Sequence, residues 1–185
     1  MNIIRTGLPG VIILEPLVFG DHRGFFLESF HARRYREAGI RESFVQDNHS
    51  RSRRGVLRGL HFQLEHPQGK LVYVSSGEVF DVAVDIRRGS STFGKWFGTV
   101  LSDSNHRQMY IPPGFAHGFC VLSETVDFLY KCTDYYYPED EGGVLWNDPD
   151  IGIEWPLGSP ILSEKDMENP RLNQMTPAQL PSVDR

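Results

Sequence analysis

The strongest candidate for a catalytic segment is residues 55–63, GVLRGLHFQ, where a histidine lies among apolar residues. Alternate side chains of a β-strand share a face, so His61 lies on the same face as Gly59 and Gln63. A glycine and two polar side chains on one face favour a cavity wall over a dry core. Imidazole groups exchange protons near neutral pH, and His61 is therefore a candidate general acid or base.

Arg58 belongs to the same segment but falls on the opposite face of the predicted strand. Either Gly59 introduces a β-bulge that turns Arg58 towards His61, or Arg58 serves a different surface. The alternation of side chains does not decide between these two arrangements.

A second histidine, His117, follows a Pro-Pro-Gly turn at residues 112–114 and enters an apolar segment. The two histidine segments together resemble the two motifs of the cupin superfamily, which are small barrels of the jelly-roll type. Metal-binding cupins have a second histidine where this chain has Gln63 and a glutamate near its Gln68. Amide oxygens are poor replacements for imidazole and carboxylate around a transition metal. We therefore expect neither a metal site nor a cofactor, and a metal-dependent cupin isomerase or dioxygenase is the alternative.

The elements that must position these residues are predicted to be strands, because glycines and prolines separate many short apolar runs. The clearest strand covers residues 79–87, where an apolar face with Phe80 and Val82 alternates with a mixed face that includes Asp81. One helix is predicted over residues 27–38, and helical turns over 163–167 and 176–180. The predicted strands are residues 56–64, 70–75, 79–87, 96–101, 118–122 and 125–137.

Composition limits the setting of this chemistry. The chain has 185 residues, enough for one globular domain, and its formal net charge is -5. An acidic chain is a poor match for a nucleic-acid backbone. Two cysteines are too few for a disulfide framework, and the early apolar runs are too short for a signal or membrane segment. We expect a cytoplasmic protein that binds neither nucleic acid nor membrane.

Eight blocks of the sequence together resemble a single protein family. In chain order they cover residues 19–28 (FGDHRGFFLE), 46–50 (QDNHS), 55–63, 68–72 (QGKLV), 77–87, 112–119, 146–149 (WNDP) and 162–166 (LSEKD). Their content and order closely resemble the dTDP-4-dehydrorhamnose 3,5-epimerase family.

The resemblance implies an isomerase that inverts C3 and C5 of dTDP-4-dehydro-6-deoxy-D-glucose to give dTDP-4-dehydro-L-rhamnose. It implies metal-independent acid/base catalysis through an enolate, within dTDP-rhamnose biosynthesis for cell-surface polysaccharide. The implied architecture is an all-β, cupin-type jelly-roll barrel with short peripheral helices, forming one domain over residues 1–185 with N-terminal and C-terminal extensions packed on the barrel. The implied assembly is a homodimer. An epimerase that inverts a single centre of a related dTDP-4-ketohexose is the alternative within the family.

Epimerisation beside a ketone needs a base, a proton donor on the opposite face and a group that stabilises the enolate. The resemblance gives His61 the role of base and Asp166 the role of orienting it. Tyr130 matches the proton donor, and Lys70 matches the residue beside the enolate oxygen.

A nucleoside diphosphate is an anion, so arginines must converge on it within this acidic chain. The resemblance assigns Arg23 and Arg58 to the pyrophosphate. His117 is expected in the same pocket, supported by Asp81. The other substrate-binding positions carried over are Glu28, Gln46, Asp47, Asn48, Lys70 and Glu141.

Overall fold

The computed structural model describes residues 1–183, which are almost entirely strands and connecting loops. The strands are β1 (Asn2–Arg5), β2 (Ile12–Glu15), β3 (Val18–Asp21), β4 (Gly24–Leu27), β5 (Gln46–Arg53), β6 (Leu57–Gln63), β7 (Lys70–Ser76), β8 (Glu78–Asp85), β9 (Trp96–Ser102), β10 (Gln108–Ile111), β11 (Phe115–Val121), β12 (Thr125–Cys132) and β13 (Glu141–Gly143). The helices are α1 (Ala32–Glu37) and α2 (Glu164–Glu168), and single 3-10 turns lie at Pro138–Asp140, Leu172–Gln174 and Pro177–Gln179.

Two antiparallel sheets pack face to face. The larger has the strand order β1-β2-β10-β7-β12-β5 and the smaller the order β13-β6-β11-β8-β9. Side chains from both sheets, among them Met109, Phe128, Ala83 and Phe119, share one buried apolar cluster. This confirms the prediction of an all-β, cupin-type jelly roll.

Strand β8 is buried on both faces. Its mixed and its apolar sets of alternating side chains therefore both pack against other residues. The mixed face, with Val79 and Ala83, points into the cluster between the sheets. The apolar face, with Phe80 and Val82, packs in a second cluster on the outside of the smaller sheet. By alternation, Asp81 therefore belongs to the inner face.

The C-terminal segment, residues 144–183, covers that outer face. Trp155, Leu172 and Leu180 pack in the same cluster as Val82. The segment is also held to the start of β6, because Leu57 N donates to the Ile161 carbonyl at 2.9 Å. This attachment brings α2 beside β6. Within residues 1–183, no helix has the length and apolarity needed to cross a bilayer.

Two predicted boundaries are wrong. The helix predicted over 27–38 begins only at Ala32, because residues 24–27 pair with 18–21 as the hairpin β3–β4. The strand predicted over 125–137 ends at Cys132, where the Thr133 side chain accepts a hydrogen bond from Gly69 N at 2.7 Å. The chain after Cys132 then leaves the sheet and closes over the end of the barrel.

Strand β5 was absent from the sequence-based prediction for a physical reason. Its sequence is QDNHSRSR, and Ser52 is its only buried residue. It is an edge strand held by the pairing of all eight residues with β12. Period-two apolar patterns reveal strands with a buried face, and a polar edge strand has no such pattern. The short strands β1, β2, β3, β4, β10 and β13 are likewise missing from the predicted strands.

Candidate active site

A cavity of about 240 Å³ opens between the two sheets at the end where β6, β7 and β12 meet β13. Its wall is mainly polar, and it contains six of the sequence-predicted catalytic or binding positions, which stand on five different strands. The lining residues are Gln46, Asn48, His61, Phe62, Gln63, Gln68, Lys70, Tyr130, Tyr136 and Glu141.

His61 and Asp166 form a close pair at this cavity. His61 Nε2 donates to Asp166 Oδ1 at 2.6 Å, although the residues are 105 positions apart. Asp166 lies in the first turn of α2, where its backbone N–H donates to the Ser163 hydroxyl at 3.1 Å. Burial would raise the pKa of Asp166, but the hydrogen bond and charge of His61 and the Ser163 and Gly59 contacts hold it below its ordinary value. The carboxylate therefore remains ionised beside the imidazole.

The other ring nitrogen of His61 faces the cavity and a second carboxylate. His61 Nδ1 is 3.8 Å from Glu141 Oε1. Glu141 Oε2 accepts from the Tyr136 hydroxyl at 2.7 Å and from Lys165 Nζ at 2.6 Å. Burial opposes the charge on Glu141, but these two donors hold the pKa of Glu141 below its ordinary value.

Sequence reasoning missed Tyr136 and Lys165. Tyr136 falls within the predicted strand 125–137, which ends before it, and Lys165 is one residue of the block 162–166 with no predicted role. Lys165 directly precedes Asp166, which was the one signal that could have drawn attention to it.

Tyr130 and Lys70 stand on the neighbouring strands β12 and β7. Tyr130 pairs with Val72, and Lys70 pairs with Cys132 two positions along the same ladder. Burial raises the pKa of the Tyr130 hydroxyl and lowers the pKa of Lys70. Within residues 1–183, the Lys70 ammonium donates no hydrogen bond to a protein atom, so its donors point into the cavity.

Arg58 lies on the same side of β6 as His61. The pairing of β6 with β11 shifts register between His117, opposite His61, and Phe119, opposite Arg58. Arg58 Nε donates to the Ser52 hydroxyl at 3.1 Å, and Arg58 and His61 line one adjoining cavity of about 470 Å³. Of the two arrangements left open by the sequence, the structure has the β-bulge.

His117 lies in the barrel interior, next to His61 in the ladder. Its Nε2 donates to Asp81 Oδ2 at 3.0 Å, and its side chain is 9% exposed while that of Asp81 is fully buried. The His117 ring stacks on Phe128, with the centroids 6.1 Å apart. His117 is thus below the cavity, outside its lining.

Three predicted binding residues lie away from the cavity in this chain. Arg23 makes an ion pair with Asp21 at 2.5 Å on the exposed hairpin β3–β4. Glu28 is bound by Arg34 at 2.7 Å. Asp47 alternates with its cavity-lining neighbours on β5 and turns outwards to Lys131 Nζ at 2.9 Å. These three residues do not line the cavity of their own chain, and their assignment to substrate binding stays a prediction.

Gln63 has a structural use at the position where metal-binding cupins carry a histidine. Its Nε2 donates to the carbonyls of His66 at 2.7 Å and Tyr135 at 3.1 Å, and its Oε1 accepts from Tyr137 N at 2.9 Å. Gln68 similarly donates to the Asp134 carbonyl at 2.9 Å. Both amides hold the loop that carries Tyr136. Among residues 1–183, no three His, Cys, Asp or Glu side chains converge as a metal site.

Comparison with known proteins agrees with this geometry. Residues 5–174 match the family model of dTDP-4-dehydrorhamnose 3,5-epimerase. The chain is 61% identical to the dTDP-4-dehydrorhamnose 3,5-epimerase of Pseudomonas aeruginosa over 170 residues, which are 91% of this chain and 94% of that protein. It is 42% identical to a dTDP-4-dehydrorhamnose 3-epimerase of Streptomyces niveus over 171 residues, 91% of this chain and 82% of that protein.

Solved structures give the same answer. The crystal structure of a 3,5-epimerase from Legionella pneumophila in complex with dTDP-4-keto-L-rhamnose has a TM-score of 0.96 and 57% identity, covering 98% of each chain. The chain therefore belongs to the dTDP-4-dehydrorhamnose 3,5-epimerase family.

Proposed function

We propose that this protein inverts C3 and C5 of dTDP-4-dehydro-6-deoxy-D-glucose, giving dTDP-4-dehydro-L-rhamnose. The observation that carries the proposal is the His61–Asp166 pair, which faces the same cavity as Tyr130 and Lys70. These are the groups that proton transfer at carbon beside a ketone requires.

His61 acts as the base through Nδ1. Its Nε2 is occupied by Asp166, which accepts the ring N–H and leaves Nδ1 with a free lone pair towards the cavity. Nδ1 takes the proton from the carbon, and the electrons of the C–H bond form an enolate with its negative charge on the former ketone oxygen. Asp166 stabilises the imidazolium that results and fixes the tautomer.

Lys70 and Tyr130 complete the cycle. The Lys70 ammonium, which has no protein acceptor among the described residues, donates to the enolate oxygen. Tyr130 returns a proton to the carbon from the face opposite His61, and its hydroxyl keeps that proton until then because burial raises its pKa. Solvent then restores the protonation of both residues for inversion at the second carbon.

The rest of the nucleotide sugar extends through the adjoining cavity. That cavity shares His61, Tyr136 and Glu141 with the first and brings Arg58 within reach of a pyrophosphate. The amides of Gln46 and Asn48 and the carboxylate of Glu141 offer partners for hydroxyl and base-edge groups.

The direct test is incubation with dTDP-4-dehydro-6-deoxy-D-glucose in deuterium oxide, followed by NMR. Deuterium at both C3 and C5 with L-rhamnose configuration is expected. Exchange at one carbon would favour the single-centre reaction, which the 3-epimerase of Streptomyces niveus carries in its name. No exchange in folded protein would overturn the proposal.

A homodimer would give Arg23 and Glu28 a role. Hairpin β3–β4 pairs with no other strand among residues 1–183, and it exposes Phe19, Phe25 and Phe26 by 59%, 63% and 68%. Exposed apolar groups of this size mark protein interfaces. We infer that the hairpin packs on a second copy of the chain and that Arg23 serves the second copy's cavity.

Mixing two inactive variants tests this assembly. Arg23→Ala and His61→Asn chains that exchange subunits form hybrid dimers with one site free of both substitutions, so activity is expected to return on mixing. A mixture that stays inactive, although light scattering shows dimers and subunit exchange, would contradict the shared site. A monomer in light scattering would contradict the dimer itself.

Residues 1–185 act as one domain, in this proposal, because the base on β6 needs Asp166 from the C-terminal segment. The thiols of Cys120 and Cys132 are free and buried, which fits a cytoplasmic enzyme. Its product is an activated deoxysugar, which fits a supply of rhamnose for cell-surface polysaccharide.

A further inference from the structure

The candidate base and the candidate proton donor stand on different sheets. His61 lies on β6 of the smaller sheet and Tyr130 on β12 of the larger one, and both line the cavity between the sheets. Proton transfer needs an approach to hydrogen-bond distance, so both residues can serve one substrate carbon only while the sheets keep a fixed separation. Contacts that join the two sheets beside the cavity therefore bear on catalysis.

Two connecting segments pass from one sheet to the other at this end of the barrel. Residues 64–69 join β6 to β7, and residues 133–140 join β12 to β13. Each segment begins three residues after one of the candidate catalytic residues, His61 or Tyr130. The position of each segment is thus tied closely to one side of the proposed proton transfer.

Gln63 is hydrogen-bonded to both segments. Its Nε2 donates to the carbonyls of His66 at 2.7 Å and Tyr135 at 3.1 Å, and its Oε1 accepts from Tyr137 N at 2.9 Å. Gln63 lies two positions from His61 on β6 and is 4% exposed. Both amide hydrogens and the amide oxygen are therefore paired in a buried place, where an unmade hydrogen bond is costly. This one side chain ties the strand of the base to the segment that continues the strand of the donor.

Gln68 also binds the segment 133–140, but from the other sheet. Its Nε2 donates to the Asp134 carbonyl at 2.9 Å, and it lies just before β7, which neighbours β12 in the larger sheet. Beside it, Thr133 N donates to the Gly69 carbonyl at 3.0 Å, and Gly69 N donates to the Thr133 hydroxyl at 2.7 Å. These contacts hold the segment at the larger sheet, whereas Gln63 holds it to the smaller one.

We propose that Gln63 is a positioning residue that fixes the separation of His61 and Tyr130 by tying the two sheets together beside the cavity. The catalytic consequence rests on the proposed function. Proton return by Tyr130 requires hydrogen-bond distance, but the attraction between the Lys70 ammonium and the enolate oxygen falls only gradually with distance. A looser separation should therefore slow inversion more than it slows the removal and return of a proton by His61.

Gln63→Met tests this tie, because methionine has a similar length and makes none of the three hydrogen bonds. In deuterium oxide, inversion should fall by about 10²-fold, the effect of a misplacement of about 1 Å. Label should enter substrate of unchanged configuration with a much smaller loss, so the ratio of label incorporation to inversion should rise. Gln68→Met is the matched control, and its ratio should stay at the wild-type value.

Amide hydrogen exchange, measured by NMR, tests the contact without a substrate. The Tyr137 N–H should exchange faster in Gln63→Met and keep its wild-type protection in Gln68→Met. If Gln63→Met does not fold, Gln63→Glu is the second variant. Its carboxylate keeps the length and the acceptor for Tyr137 N, but it has no donor for the two carbonyls, so the ratio of label to inversion should rise in this variant as well.

The outcomes separate this inference from the proposed function. A folded Gln63 variant in which label and inversion decline in parallel overturns the inference, because the residue would then have a general structural role. An equal rise of the ratio in Gln68→Met would also overturn it. A wild-type protein that incorporates no label contradicts the proposed function instead. Wild-type protection of the Tyr137 N–H in Gln63→Met would overturn the tie itself, whatever the protein catalyses.

Discussion

The molecule contains two histidine–carboxylate pairs whose histidines stand on neighbouring strands. The pairs share the same residue types but differ in the exposure of the histidine and in the origin of the carboxylate. His61 on β6 and His117 on β11 are directly opposite each other in one ladder. The His61 side chain is 28% exposed and meets Asp166 from a separate segment. The His117 side chain is 9% exposed and meets Asp81 from the adjacent strand of the same sheet.

The difference in surroundings changes what each pair can do. A histidine at a cavity has one nitrogen held by its carboxylate and one free to reach a substrate, which suits a base. A histidine beneath the cavity has little access to substrate, and its pair can act on reacting groups only through electrostatic and packing effects. In the proposed function the pair at His61 serves proton transfer, whereas the pair at His117 is a buried contact inside the barrel.

The largest expected effect separates the two histidines directly. His61→Asn should reduce deuterium exchange at C3 and C5 by between about 10² and 10⁴-fold, because general base catalysis is lost. Binding of dTDP, measured by calorimetry, should change little. If a folded His61→Asn protein exchanges deuterium at nearly the wild-type rate, His61 is not the base, and the functional difference between the two histidines is contradicted.

Asp166→Asn should have the next largest effect, about 10²-fold on kcat. The amide can hold His61 in the other tautomer, with Nδ1 protonated, and it gives no charge to stabilise the imidazolium. Steady-state kinetics with the NMR assay provides the measurement. Retention of full activity would show that His61 does not need the Asp166 carboxylate for catalysis.

Tyr130→Phe tests the residue proposed to donate a proton on the face opposite His61. Without the hydroxyl, the base can still remove and return a proton on its own face, so exchange should continue after inversion has slowed. The ring keeps most of its volume, and the fold should tolerate the change. In deuterium oxide, label should enter substrate of unchanged configuration. A parallel decline of label and inversion would mean that Tyr130 is not the sole donor on that face.

Arg58→Ala provides a contrast, because Arg58 belongs to neither pair. Loss of a charge-assisted hydrogen bond costs about 1.5–3 kcal/mol, so affinity for dTDP should fall by roughly 10 to 150-fold. The effect on kcat should be smaller than the effect on affinity. Calorimetry showing wild-type affinity would mean that the bulge does not bring Arg58 to the phosphates.

The smallest effect is on stability, and here the two carboxylates should behave in opposite ways. The folded-state pKa of Asp166 is lowered, so its contribution is present above the unfolded value of about 3.9 and is lost as pH falls through the folded value. Burial raises the pKa of Asp81, so its ionisation disfavours the fold as pH rises.

Thermal melting of the wild type and the two Asn variants between pH 3 and 8 checks these signs. A difference of ~1 kcal/mol moves the Tm of a chain of this size by about 2–4 °C. As pH rises, the Tm of the wild type should increase relative to that of Asp166→Asn. It should decrease relative to that of Asp81→Asn. Parallel curves for the two variants would contradict the opposite pKa directions.

Local patterns in the sequence were enough for the elements with a buried face. The alternation over 79–87 predicted β8, and the spacing of Gly59, His61 and Gln63 predicted a cavity wall on β6. Both patterns depend only on the two-residue period of a strand, which is a property of neighbouring positions. The polar strand β5 has no such pattern, and its existence depends on hydrogen bonds to β12.

The all-β class, the cavity-facing histidine and the family could all be predicted from the sequence, because each depends on neighbouring residues or on blocks that keep their order. Which side chains meet depends instead on the tertiary structure. The fold brings His61 to Asp166 across 105 positions and places Arg58 beside the same cavity as His61 at a bulge. It also pairs Glu141 with Tyr136 and Lys165, and it leaves Arg23 on an outer hairpin. Such contacts depend on how distant segments pack, and no local period in the sequence encodes them.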